Sequence, residues 1–497
     1  MTTILSIIFV YFVILLIIGY LAQRQGRKTA EDYFLANRSI GSLVMTVSVF
    51  STLFSAFTFI ALPGLVYKTG FGFIPGLAIS NFLFPVVIFL IGYKIWLAGK
   101  KFGFITPTEL FKHRFNSPGV ELVVFVVMVL LVMPYISIQP MGGGYVLGAI
   151  TQGAIPYAAA AGIITLVMIV YSVMGGFRGI AWIDTFQGII MLLVSVATLV
   201  AVASLVGGFG LGTERVVKEL PAHLTPAGPI GLWTWPLYFS WIVFIFFNFM
   251  FQPQIFARYY SGRSPRTLAW TLAMWPLMAG FMLLPPAVAA LYGRLLVPDL
   301  ASADQIIPIL WTKFLPAWFA GFGAAAVLSA LMSTAAGQLM VLSSMWTRDI
   351  YVGYLDRKAS QARQVWVGRI AIVVLAVFGY AIALHPPALM GLLAGAAFSG
   401  IAILAPAGFA VFYWRRATAP AVMISIVGGE IPVFFTYFGV IPKATWGTFD
   451  ASIPGLIIAA VLLVVVSYLT APPPKDVVDA YMAPDMDIFK AIRKPSA

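Results

Sequence analysis

Apolar residues run in blocks of about 20 from the N-terminus to about residue 471, separated by short polar stretches. About 20 apolar residues is what a helix needs to cross the hydrocarbon core of a bilayer. Hydrocarbon offers no partner to backbone N–H and C=O groups, so blocks of this kind fold as helices that satisfy themselves. Thirteen candidate spans lie near residues 4–22, 42–67, 71–96, 119–148, 156–174, 182–206, 232–254, 267–293, 309–345, 366–385, 391–414, 419–440 and 453–471. The pattern predicts an all-α polytopic membrane protein with about 13 transmembrane helices in one domain, residues 1–471. A polar tail, 472–497, opens with Ala-Pro-Pro-Pro and is expected to be a flexible cytoplasmic extension without chemistry of its own. The block Ile4 to Ala22 lacks the basic n-region and small-residue cleavage site of a signal peptide, and it is expected to be a retained helix.

Composition removes the soluble classes: 61% of the 497 residues are apolar and 9% charged, against about 45–50% and 25% in an ordinary soluble domain. The net charge of +13 would point to nucleic acid in a soluble protein. Here the basic residues sit in short loops, where they orient helices, and no nucleic-acid partner is expected. With the N-terminus outside, about 24 of the 30 Lys and Arg fall inside, leaving Lys68, Arg215, Lys218, Arg294, Lys313 and Lys443 outside. That asymmetry places the C-terminus in the cytoplasm of a multi-pass plasma (inner) membrane protein. The chain has no cysteine, which excludes disulfides, thiolate metal sites and cysteine nucleophiles. His113, His223 and His385 are scattered and suggest no metal site.

Two spans are interrupted at equivalent places. One carries Ser51-Thr52-Leu53-Phe54-Ser55-Ala56 and then Pro63-Gly64; the other carries Asn248 and then Gln252-Pro253-Gln254. Proline removes a backbone donor and clashes with the preceding turn, and backbone groups freed at membrane depth are tolerated only where they line a site. The two spans open successive five-helix blocks, about 42–206 and 232–414. Interrupted helices at matching positions of two repeats mark the binding site of an inverted-repeat transporter, although a simple kink is the blander reading of either one. A third feature is Ser333-Thr334, one turn after Ala330. Their hydroxyls, with the carbonyls of Ala330, Ser51 and Phe54, offer five oxygens to a hard cation such as Na⁺. The alternative is that the hydroxyls bond back into their own helix.

Four ordered segments resemble the sodium:solute symporter family. These are Asp32-Tyr33-Phe34-Leu35-Ala36-Asn37-Arg38-Ser39-Ile40-Gly41, the signature-like stretch from Gly175-Gly176 through Trp182-Ile183-Asp184 to Gln187, Gln252-Pro253 with Ala257-Arg258, and the stretch from Ala325 through Ser333 and Thr334 to Asp349-Ile350-Tyr351. The resemblance implies a LeuT-type fold with a 5+5 inverted-repeat core, one helix before it and two after. It also implies alternating access with Na⁺ as the coupling ion, bound at Ser51, Phe54, Ala330, Ser333 and Thr334. The proline-transporting branch has an aspartate where this chain has Leu53, a tryptophan where it has Phe57 and a tyrosine where it has Phe249, which speaks against proline.

The solute is expected among Thr52, Ser55, Phe57, Thr58, Asn81, Tyr135, Ser137, Gln139, Asn248, Phe249 and Gln252, none of which is ionised. Free amides at a broken helix end suit a carboxylate, and the segments Phe57–Gly64 and Met133–Gln139 resemble the bacterial monocarboxylate-transporting branch. A small organic anion such as lactate, pyruvate or propionate is therefore expected, with proline, pantothenate or a sugar as alternatives. Asp184 and Pro253 are assigned to gating or ion exit. Glu121, at a predicted helix end, is expected to be solvated or to pair with a basic loop residue. Glu430, an intramembrane carboxylate outside the core, invites a functional reading but is expected to be structural. An enzyme is disfavoured by the lack of any His-Glu-x-x-His, Gly-x-Ser-x-Gly or paired acids within a span. A sensor would carry a signalling domain, and a channel would not concentrate its solute.

Overall fold

Prolines and capping residues decide where the long apolar helices begin. Pro107, Pro118, Pro253 and Pro265 each open a helix at its first turn, where the missing N–H has no intrahelical partner to lose. Thr106 and Glu109 form a reciprocal capping box on the first of these. The computed structural model describes residues 1–151, 153–386 and 390–482. Its main helices are α1 (Thr2–Gln25), α2 (Ser42–Leu53), α3 (Phe57–Thr69), α4 (Phe73–Phe102), α5 (Pro107–Phe115), α6 (Pro118–Ile150), α7 (Tyr157–Leu205), α8 (Trp235–Phe251), α9 (Pro253–Ser261), α10 (Pro265–Leu296), α11 (Ala317–Leu355), α12 (Gln361–Ala383), α13 (Leu393–Tyr413), α14 (Ala419–Tyr437) and α15 (Ser452–Leu469).

Ten of the described helices are long and apolar enough to cross a membrane, or up to twelve if each of two bent pairs is one span. The bent pairs are α2–α3, at 59°, and α8–α9, at 48°. These are the two spans whose sequences carry the interruptions. The difference from the expected thirteen lies in α7. Its 49 residues hold two helices, at the two expected spans, separated at Gly176, whose non-helical φ of 55° and ψ of −158° break and turn the chain. A Cβ there would lie 2.8 Å from the Tyr33 carbonyl, so a side chain fits neither the torsion nor the space.

Helix α11 is the centre of the bundle: its most apolar stretch is 100% buried inside the protein. Alanine, glycine and serine dominate its sequence from Gly321 to Ser344, and small residues let neighbouring backbones approach closely. Around it pack α1, α2, α6, α7 and α12. Helices α14 and α15 pack on each other at the periphery and touch the rest through α6, α8 and α13. The chain ahead of α2 is tied to the end of α9 by a short parallel bridge, Ile40 N to Ser261 O at 3.1 Å and Arg263 N to Ile40 O at 3.0 Å.

The tail departs from its expected flexibility. Lys475–Met482 forms a helix whose Tyr481 is fully buried against Phe102 and Phe412 and lies 2.8 Å from His113 Nδ1. Val478 and Tyr481 share one helical face, which gives this short segment enough apolar surface to dock. The remainder of the expected tail, 483–497, lies outside the described residues.

Candidate functional site

The break after α2 sets the site. Phe54, with φ −94° and ψ 99°, ends the helix in extended backbone, and α3 resumes at Phe57 on Ser55, whose carbonyl accepts from Thr58 N at 3.0 Å and whose hydroxyl accepts from Phe57 N at 3.3 Å. Helix α11 lies against this break. Ser333 Oγ is 2.9 Å from the Ser51 carbonyl and 3.3 Å from that of Ala330. Thr334 Oγ1 is 3.1 Å from the Thr52 carbonyl and 3.0 Å from that of Ala330. The Thr52 hydroxyl, expected toward the solute, instead reaches the Ser333 carbonyl at 3.4 Å.

Two hydroxyls bring two protons to these four carbonyl contacts. The oxygens of Ser51, Thr52, Ala330, Ser333 and Thr334 therefore carry a surplus of lone pairs in a site that is at most 1% exposed. That donor set, neutral oxygens with more acceptors than donors, fits a desolvated monovalent cation. Thr52 joins the expected oxygens because α2 stays helical through Leu53. Phe54 is expected here through its carbonyl, which no described hydrogen bond joins to Ser333 or Thr334; its ring stacks on Trp275 at 5.7 Å.

One turn before Ser51 lies a buried ion pair. Arg258 of α9 reaches Asp184 of α7 at 2.5 Å, with both side chains 1% exposed. Ser48 of α2 donates to Asp184 at 2.7 Å, and the guanidinium also bonds the carbonyls of Ser48, at 3.2 Å, and Gln254, at 2.9 Å. The sequence places Arg258 among loop charges; the structure buries it in the second half of a broken span. Gly337 makes room for it, since a Cβ there would lie 2.7 Å from Thr52 Oγ1 and 3.2 Å from an Arg258 nitrogen. This network ties α2, α7 and α9 together beside Gly337 of α11. The expected gate residue Asp184 is inside it, and Pro253 opens α9 two residues after Phe251 ends α8. Gln187 of the same signature donates to Tyr11 of α1 at 2.8 Å.

The expected solute residues divide. Tyr135 donates to Ser55 at 3.0 Å, joining α6 to the break. Phe57 packs with Phe73 and Trp241, and Phe249 with Phe84 and Trp275. Gln252 donates to Asn248 Oδ1 at 3.3 Å and accepts from Gln254. Ser137 bonds back to the Pro134 carbonyl at 2.6 Å within its own helix, and Thr58 is buried beside the break. Several buried amide atoms have no partner among the described residues: Asn81 Oδ1, Gln139 Oε1, Asn248 Nδ2, Gln254 Oε1 and both polar atoms of Gln338. Buried amides are almost always bonded, so these atoms mark where a solute, ion or water belongs. Ser48, Gln254 and Gln338 escape a reading by sequence alone. The signal for Gln338 is its spacing of one turn from Thr334 on the same face of α11.

Of the acids, Glu121 pairs with Lys112 at 2.7 Å. Glu430 faces Gly400, where a Cβ would lie 3.0 Å from its Oε2, and its Oε1 has no partner among the described residues.

The comparisons with known proteins agree with this architecture. The model of the "Sodium:solute symporter family" matches residues 33–429. The chain is similar to a sodium/pantothenate symporter of Haemophilus influenzae, 27% identical over 419 residues covering 83% of this chain and 85% of that one. It is similar to a sodium/proline symporter of Staphylococcus aureus, 28% identical over 490 residues covering 93% and 92%. Among solved structures it matches a Na⁺-coupled sialic acid symporter in a substrate-bound outward-open state. The TM-score is 0.79 at 21% identity, covering 95% of this chain and 99% of that one. A nucleobase-cation-symport-1 family transporter in a closed conformation matches with a TM-score of 0.58 at 13% identity, covering 90% and 98%. With the family model spanning most of the chain and the LeuT-type fold matched along nearly its whole length, the protein belongs to the sodium:solute symporter family, membrane transporters that move a small solute together with Na⁺.

Proposed function

We propose that the chain carries a small monocarboxylate, such as lactate, pyruvate or propionate, with Na⁺ held at Ser51, Thr52, Ala330, Ser333 and Thr334. Alternating access then exposes the site to either face, with the N-terminus outside and the C-terminus in the cytoplasm as the loop charges favour. The observation that carries the solute class is the Asn248 amide. Its oxygen accepts from Gln252, which leaves its buried Nδ2 as a donor without an acceptor. A carboxylate supplies that acceptor, and the positive end of the α9 dipole begins five residues on, at Pro253. The amide oxygens of Asn81 and Gln139 complement it. Both residues donate their NH₂ to a carbonyl one turn back, at 2.8 and 3.2 Å, and so offer acceptors to a solute hydroxyl. No expected solute residue is ionised, so a cationic solute finds no counter-charge.

Proteoliposome uptake of labelled lactate, pyruvate and propionate, beside proline, glucose and pantothenate, under Na⁺ or choline gradients, tests this. Na⁺-dependent accumulation of a monocarboxylate is expected. Asn248→Ala should raise its KM roughly 10- to 150-fold, the equivalent of one hydrogen bond to a charged group at about 1.5–3 kcal/mol. Accumulation of another solute alone would overturn the monocarboxylate. A second reading, proline or pantothenate, is favoured by the names of the similar symporters; both solutes also present a carboxylate.

A further inference from the structure

We propose that a cavity beside Arg27 binds a phosphate group, carried either by a free phosphate compound or by a lipid headgroup. Its volume is about 370 Å³, and the residues that line it include Arg27, Thr29 and Glu31 from the chain between α1 and α2, Ile105 from the link between α4 and α5, Arg348 of α11 and Gln361 at the start of α12. A cavity of that size is in the range of small-ligand sites. None of these residues belongs to the cation site or to the expected solute residues.

The charges around the cavity leave one base over. Glu31 is paired with Arg38 at 2.5 Å. Asp32, which accepts the Arg27 backbone amide, is paired with Arg178 at 2.6 Å. Glu109, which accepts the Ile105 amide, is paired with Arg348 at 3.0 Å. Each of these carboxylates thus has an arginine of its own. The Arg27 side chain has neither an ion pair nor a hydrogen bond among the described residues. Its charge is the one that an anion in the cavity would neutralise.

The uncharged groups are set the same way. Gln361 Oε1 accepts the Ala30 amide at 2.9 Å, which leaves its NH₂ as a donor, and Thr29 Oγ1 accepts the Asp32 amide at 3.2 Å, which leaves its hydroxyl proton to give. Arg348 donates Nε to Glu109 and one terminal nitrogen to Gln364 at 3.3 Å, and keeps the other terminal nitrogen. Donors therefore come to one cavity from three separate stretches of the chain. A phosphate group answers such a set because its terminal oxygens each accept more than one bond, and a guanidinium fork matches two of them at once. Basic pockets between helices on the cytoplasmic side also suit phospholipid headgroups, and the loop charges favour the cytoplasm for this face. A ligand that bridges the α1–α2 chain, α11 and α12 favours the arrangement in which they lie together.

The experiment measures binding to the purified full-length protein with two probes. One is inorganic phosphate, titrated by calorimetry in neutral detergent at constant ionic strength against chloride. The other is phosphatidate, read as the rise in Tm in phosphatidylcholine nanodiscs with and without it. Binding of inorganic phosphate assigns the site to a free phosphate compound, and a response to phosphatidate alone assigns it to a headgroup. Arg27→Gln removes the unbalanced charge. Gln361→Glu keeps the acceptor for Ala30 and sets a carboxylate at the cavity. Both residues are exposed, so each variant should keep the Tm of the parent when no probe is present. Each should weaken the probe that binds by about tenfold or more, as loss of a hydrogen bond to a charged group implies. No binding of either probe to the parent, or an affinity unchanged in either variant, would overturn the proposal. Neither readout depends on the transported solute.

Discussion

Removing the hydroxyls of Ser333 and Thr334 is the sharpest perturbation of the cation site. Each supplies one of five converging oxygens, and each also closes α11 onto a carbonyl of α2, at 2.9 and 3.1 Å. As neutral hydrogen bonds these contribute about 1 kcal/mol each to stability whether or not Na⁺ is present. Facing a desolvated unit charge, an oxygen contributes about 1.5–3 kcal/mol, so Ser333→Ala or Thr334→Val should raise the half-saturating Na⁺ concentration roughly 10- to 150-fold. The double variant should raise it further than either single variant but by less than the sum of the single effects, because both hydroxyls share the Ala330 carbonyl. Thr334→Ser retains the oxygen and should stay within about threefold of the parent, well under the tenfold step that a lost oxygen implies. Two assays read this: uptake against Na⁺ at constant osmolarity, and the Na⁺-induced rise in Tm, which needs no solute. A double variant with unchanged half-saturation and an unchanged Na⁺-induced Tm shift would refute the assignment.

Three further outcomes follow from the packing. Gly337→Ala would ordinarily favour a helix by about 1 kcal/mol, but its Cβ 2.7 Å from Thr52 Oγ1 should instead lower both thermal stability and Na⁺ affinity; a stabilised variant would count against that contact. Arg258→Met leaves Asp184 buried without its cation and should cost about 3–5 kcal/mol, partly recovered by adding Asp184→Asn; denaturation showing equal losses in single and double variants would sink the pairing argument. Burial, and after it the nearby Arg294, hold the His223 imidazole below its ordinary value. Its neutral form is favoured in the folded loop, so the stability it contributes is complete above about pH 6.5 and lost as pH falls below that. His223→Gln should flatten this acid slope in a Tm-against-pH series, and an unaltered slope would assign the effect to another group.

Much of the architecture was legible because membrane helices are written in local patterns. Pro253 and the hydroxyl run at 51–55 break their helices through backbone chemistry that any reader of the sequence can apply, and both spans are bent where they occur. Ser333 and Thr334 reach α2 because helical spacing put them on one face with Ala330. What local pattern could not reveal depends on partners far along the chain. Arg258 reads as a loop cation until Asp184, 74 residues earlier, arrives to neutralise it. Tyr481 reads as tail until Phe102, Phe412 and His113 supply a wall for it. The break between the two halves of α7 rests on one torsion, at Gly176, which a glycine permits without announcing.

The Arg258–Asp184 pair also bears on how abruptly the bundle can open. Between dry walls, the attraction of two unit charges is weakly screened and strong, so the first ångström of separation is steeply uphill. Once water enters, hydration of both groups replaces what was lost and further separation costs little. Half-parted geometries are thus the high point of the path, with wells on either side. Such a profile would suppress partially open forms through which ions could slip uncoupled, and would give the spacing between α7 and α9 two preferred settings.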